Sequence, residues 1–283
     1  MLADRKPSPF SRFSGGWVAV RRTLLMTASL GFLGLFVGLP LVFIFAKAFS
    51  AGLQAYLEAI HNPLALSAIG LTLLAAGIAV PLNLVFGVCA AWAIAKFDFF
   101  GKGVLTTLID LPFSVSPVIA GMVYVLVLGM RSPIGGWMDA HGVKVIFAAP
   151  GIVLATLFVT APFVARELIP LMQEQGEEEE EAAILLGAGA WDTLRRVTLP
   201  NVRWGILYGC ILSLARAVGE FGAVSVVSGH IRGRTNTLTL HVENLYNEYQ
   251  FGAAFAVASL LTLLAVLTLA VKSYVEWRSE AAP

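Results

Sequence analysis

The chain has 283 residues, 58% of them hydrophobic and 13% charged, with a formal net charge of +1 and a mean hydropathy of +0.80. A soluble domain carries about 25% charged residues, so this chain is too poor in charge to cover a water-facing surface of its size. The near-neutral balance also excludes the concentrated basic face that a nucleic-acid partner requires. The composition predicts an all-α integral membrane protein whose neighbours are lipids.

In chain order, residues 1–22 read as a polar N-terminal segment holding Arg5, Lys6, Arg12, Arg21 and Arg22. A bilayer core of about 30 Å takes roughly 20 apolar helical residues. Residues 23–46, 64–95, 145–165 and 251–271 meet that length without one Asp, Glu, Lys or Arg. The first of these is too long for the core of a cleaved leader, and no small-residue cleavage site follows it. Two further runs contain ionisable groups: 103–129 holds Asp110, and 204–228 holds Arg216 and Glu220. Six spans are expected, with a segment at 166–203 between the fourth and fifth and a tail at 273–283.

Thirteen Lys and Arg fall on one side of this topology and five on the other, with Arg216 inside a span, which accounts for all 19. The richer side is the inside one, so both termini and the 166–203 segment are expected in the cytoplasm. Pro81, Pro112, Pro117, Pro150 and Pro162 each remove a backbone donor within a span and are expected to bend the helices. Gly34 with Gly38, and Gly205 with Gly209, fit the close-packing pattern GxxxG. Cys89 and Cys210 lie in apolar runs and read as buried small hydrophobes. His61, His141, His230 and His241 read as loop histidines outside the membrane, without metal-ligand spacing.

The 166–203 segment is the most charged part of the chain, with eight acids and four arginines. Glu177 to Glu181 crowd a helix N-terminus, where the macrodipole favours them. Apolar residues and Gly187 follow, then a second helical pattern from Trp191 that Pro200 ends. Ile184, Ala188 and Trp191, spaced by four and three, form an apolar stripe on a segment outside the lipid, and such a stripe calls for a partner. Arg216 and Glu220 lie on one helix face at i and i+4. Two roles stay open for them: an internal ion pair, or an anion site in which Arg216 offers charge and hydrogen bonds to a tetrahedral dianion. Gly219 and Gly222 would permit a local helix break that exposes backbone N–H groups. Ser114 and Ser116 could donate to an anion or satisfy carbonyls freed by the adjacent proline. Asp110 reads as a helix cap or an interfacial pair.

No HExxH, GxSxG or Cys/His constellation is present, so a membrane metalloprotease or serine hydrolase has no residues to use, and no GxxxxGK[ST] loop is available to cradle nucleotide phosphates. The chain is not expected to be an enzyme or to bind a metal. Glu181, Ala182, Ala183, then Gly187, Val197, Leu199 and Pro200 resemble the EAA motif of inner-membrane permease subunits of binding-protein-dependent ABC importers, with Val197 in place of the usual isoleucine. Residues 111–118, 178–200 and 215–223 (ARAVGEFGA) with 224–229 after them resemble the sulfate/molybdate branch, and residues 83–87, 113–117 and 224–233 resemble within it the W-type sulfate/thiosulfate permeases.

The resemblance implies a type I permease fold and a multi-pass inner-membrane location. It implies a coupling contact with a cytoplasmic ATPase made by Glu181, Ala182, Ala183, Ile184, Leu185, Gly187, Ala188 and Trp191, with Leu199 and Pro200 closing the motif. It further implies a T-type permease as heterodimer partner, two copies of the ATPase, which would carry ATP and Mg, and a periplasmic sulfate/thiosulfate-binding protein. No cofactor is expected on this chain itself. A permease for molybdate or tungstate and a stand-alone secondary anion transporter are the alternatives.

Overall fold

The computed structural model describes residues 15–280; Arg5, Lys6 and Arg12 and the end of the tail lie outside the described residues. Those described form helices and connecting turns, with no strand. An N-terminal arm runs through α1 (Gly15–Leu33), a π-turn (Gly34–Gly38) and α2 (Leu39–Ala48), followed by the short α3 (Leu53–His61). Next come α4 (Pro63–Lys96), α5 (Lys102–Ser114), α6 (Pro117–Leu128), α7 (Pro133–Ala140) and α8 (Ala149–Glu174). The polar segment forms α9 (Glu178–Leu185), α10 (Ala190–Thr193), a second π-turn (Leu194–Thr198) and α11 (Leu199–Asn201). The chain ends with α12 (Arg203–Val218), α13 (Gly222–Ser228), α14 (Leu238–Asn247) and α15 (Phe251–Glu280).

Four helical stretches are long and apolar enough to cross a membrane, and six if each of two bent pairs is one crossing. The first bent pair corrects an expectation. Residues 103–129 are not one helix but α5 and α6, meeting at 106°. Val115 and Ser116 are extended between them, because the residue before a proline is driven out of the helical region and Pro117 then starts a new helix where its missing N–H is harmless. The second pair, α12 and α13, bends by 50° across the Gly219 to Phe221 stretch, where Gly219 and Gly222 were expected to permit a break. Other prolines do not behave as expected. Pro81 and Pro162 sit inside the unbroken α4 and α8, where long hydrogen-bonded turns on either side absorb one lost bond, and Pro150 lies in the first turn of α8.

α8 is the centre of the bundle, with Ile152, Val164, Leu168 and Met172 wholly or almost wholly buried. α4 turns a row of small residues inward, from Ala65, Ala68 and Thr72 through Ala79, Asn83 and Gly87 to Ala91. Small side chains let helix backbones approach closely, which is how helices associate where lipid removes the hydrophobic drive. Gly87 of α4 and Gly209 of α12 both converge on Val164, and Gly205 lies against Leu171. Polar glue supplements the contact: Asn83 donates to the carbonyl of Leu157 at 3.1 Å and to Thr160 Oγ1 at 2.7 Å.

The two GxxxG patterns part company here. A Cβ added at Gly34 or Gly38 would meet nothing within 4 Å, and α2 makes the arm's contact by leaning on α15, with Phe43 edge-on to Phe255 at 5.8 Å. Two further expectations are corrected. Cys89 faces outward from α4 rather than into the core. His241 is no loop histidine; it is buried in α14, where desolvation first, and the nearby Arg232 charge second, hold its imidazole below the usual range.

A Cβ at Gly87 would lie 2.6 Å from Val164 Cβ and 2.9 Å from the Ala165 backbone nitrogen. Gly87→Ala is therefore expected to destabilise the subunit by about 1–3 kcal/mol through overpacking. Gly34→Ala, which meets open space, should leave it unchanged. Thermal unfolding of the two variants in detergent checks the contrast.

Candidate functional site: a cleft at two helix breaks and a polar loop

The two bent spans meet at their breaks. Gly222 at the start of α13 lies against Pro117 at the start of α6, and Gly121 approaches the backbone of Ala223 and the side chain of Val226. Beside this contact lies a cleft of about 370 Å³, lined by residues 112–117, Val159 and Phe163 of α8, and Arg216 of α12. Ser114, Ser116 and Arg216, from separate parts of the sequence, thus share one cavity. Neither serine hydroxyl has a hydrogen-bond partner among the described residues, so neither repairs a carbonyl freed by proline, and both are exposed.

Arg216 Nη1 stands 2.8 Å from Glu220 Oε2, with the Arg216 side chain 35% exposed and that of Glu220 only 1%. The two partners therefore have different roles. Glu220 Oε1 accepts the backbone N–H of Ala223 at 2.8 Å, so the carboxylate caps the first turn of α13 and anchors Arg216 at once. The break consequently does not offer that N–H to a ligand, as Gly219 and Gly222 alone suggest, because Glu220 takes it. The guanidinium has five N–H donors, and Arg216 presents its remaining capacity to the cleft. Asp110 forms the interfacial pair expected of it, 2.5 Å from Arg166 Nε. A larger cavity of about 410 Å³ between α8, α12 and α15 is lined by Glu167 and Glu276, the latter 3.6 Å from the Lys272 ammonium.

The polar segment folds as two helical pieces around Gly187, whose φ of +88° places it in the left-handed region that glycine tolerates. Ile184 ends up on α9, Ala188 in the turn and Trp191 on α10, so the three do not form one helical stripe. They are joined instead by residues at the end of α9: Leu185 and Leu186 are 88% and 90% exposed, beside exposed Ile184 and Trp191. Glu181 and Ala182 are exposed, Ala183 and Ala188 half-buried. Leu199 and Pro200 sit in α11, past the π-turn, so Pro200 does not end the helix as expected but lies within its last turn, which runs on to Asn201.

Sequence reasoning missed Glu180, which is buried. Thr198 Oγ1 donates to it at 2.5 Å, and Lys96 Nζ at the end of α4 lies 3.4 Å from it. The available signal was that five successive glutamates exceed one helical turn, so at least one faces inward.

Residues 83–279 match the family described as binding-protein-dependent transport system inner membrane component. The chain is 54% identical over 241 residues to the sulfate transport system permease protein CysW of Escherichia coli K12, covering 85% of this chain and 83% of that one. It is 49% identical over 256 residues to a CysW of Synechocystis sp., covering 90% and 93%, and 34% identical over 247 residues to the E. coli permease CysT, covering 87% and 89%. Its fold matches a chain of a bacterial alginate ABC transporter, solved in complex with an alginate pentasaccharide-bound periplasmic protein. That match has a TM-score of 0.74 at 17% identity and covers 93% and 96% of the two chains. On the family match across most of its length, the identity to these permeases and the shared all-α fold, the chain belongs to the binding-protein-dependent transport system inner membrane components, as a multi-pass, non-catalytic permease subunit.

Proposed function

We propose that this chain forms one half of the transmembrane pathway of an ATP-driven importer for sulfate, and for thiosulfate. A T-type permease forms the other half, two copies of an ATPase dock on the 166–203 loop at the cytoplasmic face, and a periplasmic anion-binding protein delivers the substrate. Both termini lie in the cytoplasm. The observation that carries the reading is the 54% identity to a sulfate transport system permease over 85% of the chain. The cleft supports it chemically. A dianion leaving water requires positive potential and hydrogen-bond donors, and Arg216 with the free hydroxyls of Ser114 and Ser116 supplies both in one cavity. No metal is required, since the donors suit the anion directly.

The exposed apolar end of α9, with Ile184, Leu185 and Leu186, and Trp191 on α10 form the surface that enters a groove on the ATPase. ATP and Mg belong to that partner, because this chain has no phosphate-binding loop. Nucleotide binding favours one arrangement of the two permease halves and hydrolysis the other. The anion therefore crosses by a shift between two states to which each ligand binds unequally.

Uptake of labelled sulfate by cells that retain the binding protein and ATPase is expected to require this chain, with competition by thiosulfate and little by molybdate. Sulfate uptake that persists without the chain while molybdate uptake falls would assign the other anion. Arg216→Ala should lower uptake by about 10- to 100-fold, the loss of one charge-assisted contact, while the assembled complex remains purifiable. Loss of assembly instead would assign Arg216 a purely structural role.

Glu181→Lys and Gly187→Asp, which reverse a charge and force a side chain into positive φ, are expected to abolish uptake with the subunit still inserted. Normal uptake by either would remove the docking assignment.

A further inference from the structure

We propose that Lys96 and Glu180 are positioning residues that tie the coupling helix α9 to the membrane-crossing helix α4, so that a displacement of α9 is delivered to the cleft. The inference rests on the docking of an ATPase at α9 and adds the means by which that docking reaches the pathway.

α9 has no apolar face with which to hold itself to the bundle: Ile184 and Leu185 point away from the protein, and its first turn is all glutamate. What anchors it is Glu180, buried in an otherwise exposed run. The side chains of Lys96 and Glu180 are 4% and 10% exposed, with the ammonium 3.4 Å from Oε1. Lys and Glu are seldom buried unless paired. Lys96 also donates to the carbonyl of Gly176 in the turn before α9, and as the last residue of α4 it complements the negative end of that helix. One ammonium therefore bridges the end of α4 to both the turn and the helix that follow α8.

Glu180 is tied in a second direction. Thr198 Oγ1 donates to the same Oε1 at 2.5 Å, and Asn201 Nδ2 donates to Glu179. These bonds join α9 to the π-turn and α11, which lead directly into α12. From Lys96, α4 runs back to the Gly87 contact with Val164 and the Asn83 bond to Thr160. From Asn201, α12 runs to Arg216 at its far end. Both routes end on helices that line the cleft, since Val159 and Arg216 are among its walls. A buried ion pair contributes little net stability against an apolar replacement but strongly penalises geometries that separate its charges. That property suits a joint which must keep two helices in register while both move.

The test uses the full complex of this chain, its partner permease and the ATPase in vesicles. Cys89→Ser and Cys210→Ser remove the native thiols, and Val115→Cys places a reporter in the cleft wall. The rate of labelling by a membrane-impermeant maleimide is read with and without ATP, alongside ATP hydrolysis and ATPase co-purification. No transported anion is needed, so the outcome does not depend on the identity of the substrate.

In the parent, ATP is expected to change the labelling rate. Glu180→Gln and Lys96→Met should shrink that change by about fivefold or more while hydrolysis stays within about twofold of the parent. Lys96→Arg, which keeps the charge, should retain it. A full ATP response in both neutral variants would overturn the proposal, as would a response that falls only in step with lost ATPase binding. Should Glu180→Gln fail to assemble, Thr198→Val, which removes one bond and leaves the ion pair, is expected to reduce the response partway, and an unchanged response would overturn the tether. A parent complex that binds no ATPase would overturn the docking reading itself, and the missing subunit would identify that failure.

Discussion

A polypeptide in lipid must satisfy its own backbone, and an interrupted helix survives there only where something replaces the lost bonds. Glu220 is that replacement. Its carboxylate holds the Ala223 N–H that the break between α12 and α13 leaves unpaired, and the same group fixes Arg216 at 2.8 Å. Without a buried anion here, α13 would begin with an unsatisfied donor and Arg216 would stand in a low-dielectric region with no counter-charge. The bend lets α13 turn toward α6, and the approach of Gly222 to Pro117 then places the break between α5 and α6 beside the arginine. The cleft follows from one carboxylate and two interrupted helices.

The rest of the bundle keeps that arrangement in register by close backbone contact. Gly87 and Gly209 meet Val164 from two sides, so α4, α8 and α12 form a unit with little room to slide past one another. The N-terminal arm contrasts with it: most of its apolar side chains from Val20 to Phe43 are exposed, and a Cβ added at Gly31, Gly34 or Gly38 would meet nothing within 4 Å. At the other extreme, α9 is held by polar bonds instead of packing. Close packing is concentrated around α8, while the arm leans on α15 and α9 is tied to the end of α4 and to the second π-turn.

Charge-free runs of sufficient length made the membrane helices legible, and the Glu run and Gly187 marked the polar segment as two helical pieces around a turn. What could not be read was where the pattern is overridden locally. Pro81, Pro112, Pro117 and Pro162 look alike in sequence, yet only at Pro117, with extended Ser116 before it, does the chain turn by 106°. Arg216 and Glu220 were visible as a pair at i and i+4, but which of them faces the cleft depends on the backbone beyond the break, where Ala223 claims the carboxylate. Glu180 was hidden by its neighbours: in a run of five identical residues, composition favours solvent, and the inward one is chosen by Lys96 and Thr198, 84 residues before and 18 after it.

The partial commitment of Arg216 bears on how a pathway can hold an anion without trapping it. A lone buried guanidinium facing a dianion would bind it strongly, since desolvated opposite charges attract far more than they do in water. Conduction needs entry to be favourable and exit to remain easy. Glu220 offsets part of the arginine's charge from 2.8 Å away and leaves the remaining N–H groups to the cleft. In the proposed pathway an anion there would meet directional donors, among them the hydroxyls of Ser114 and Ser116, in a positive field that Glu220 weakens. Its hold would then rest on hydrogen-bond geometry as well as on charge. A rearrangement at the α5–α6 break, which carries two of the donors, would then loosen that hold.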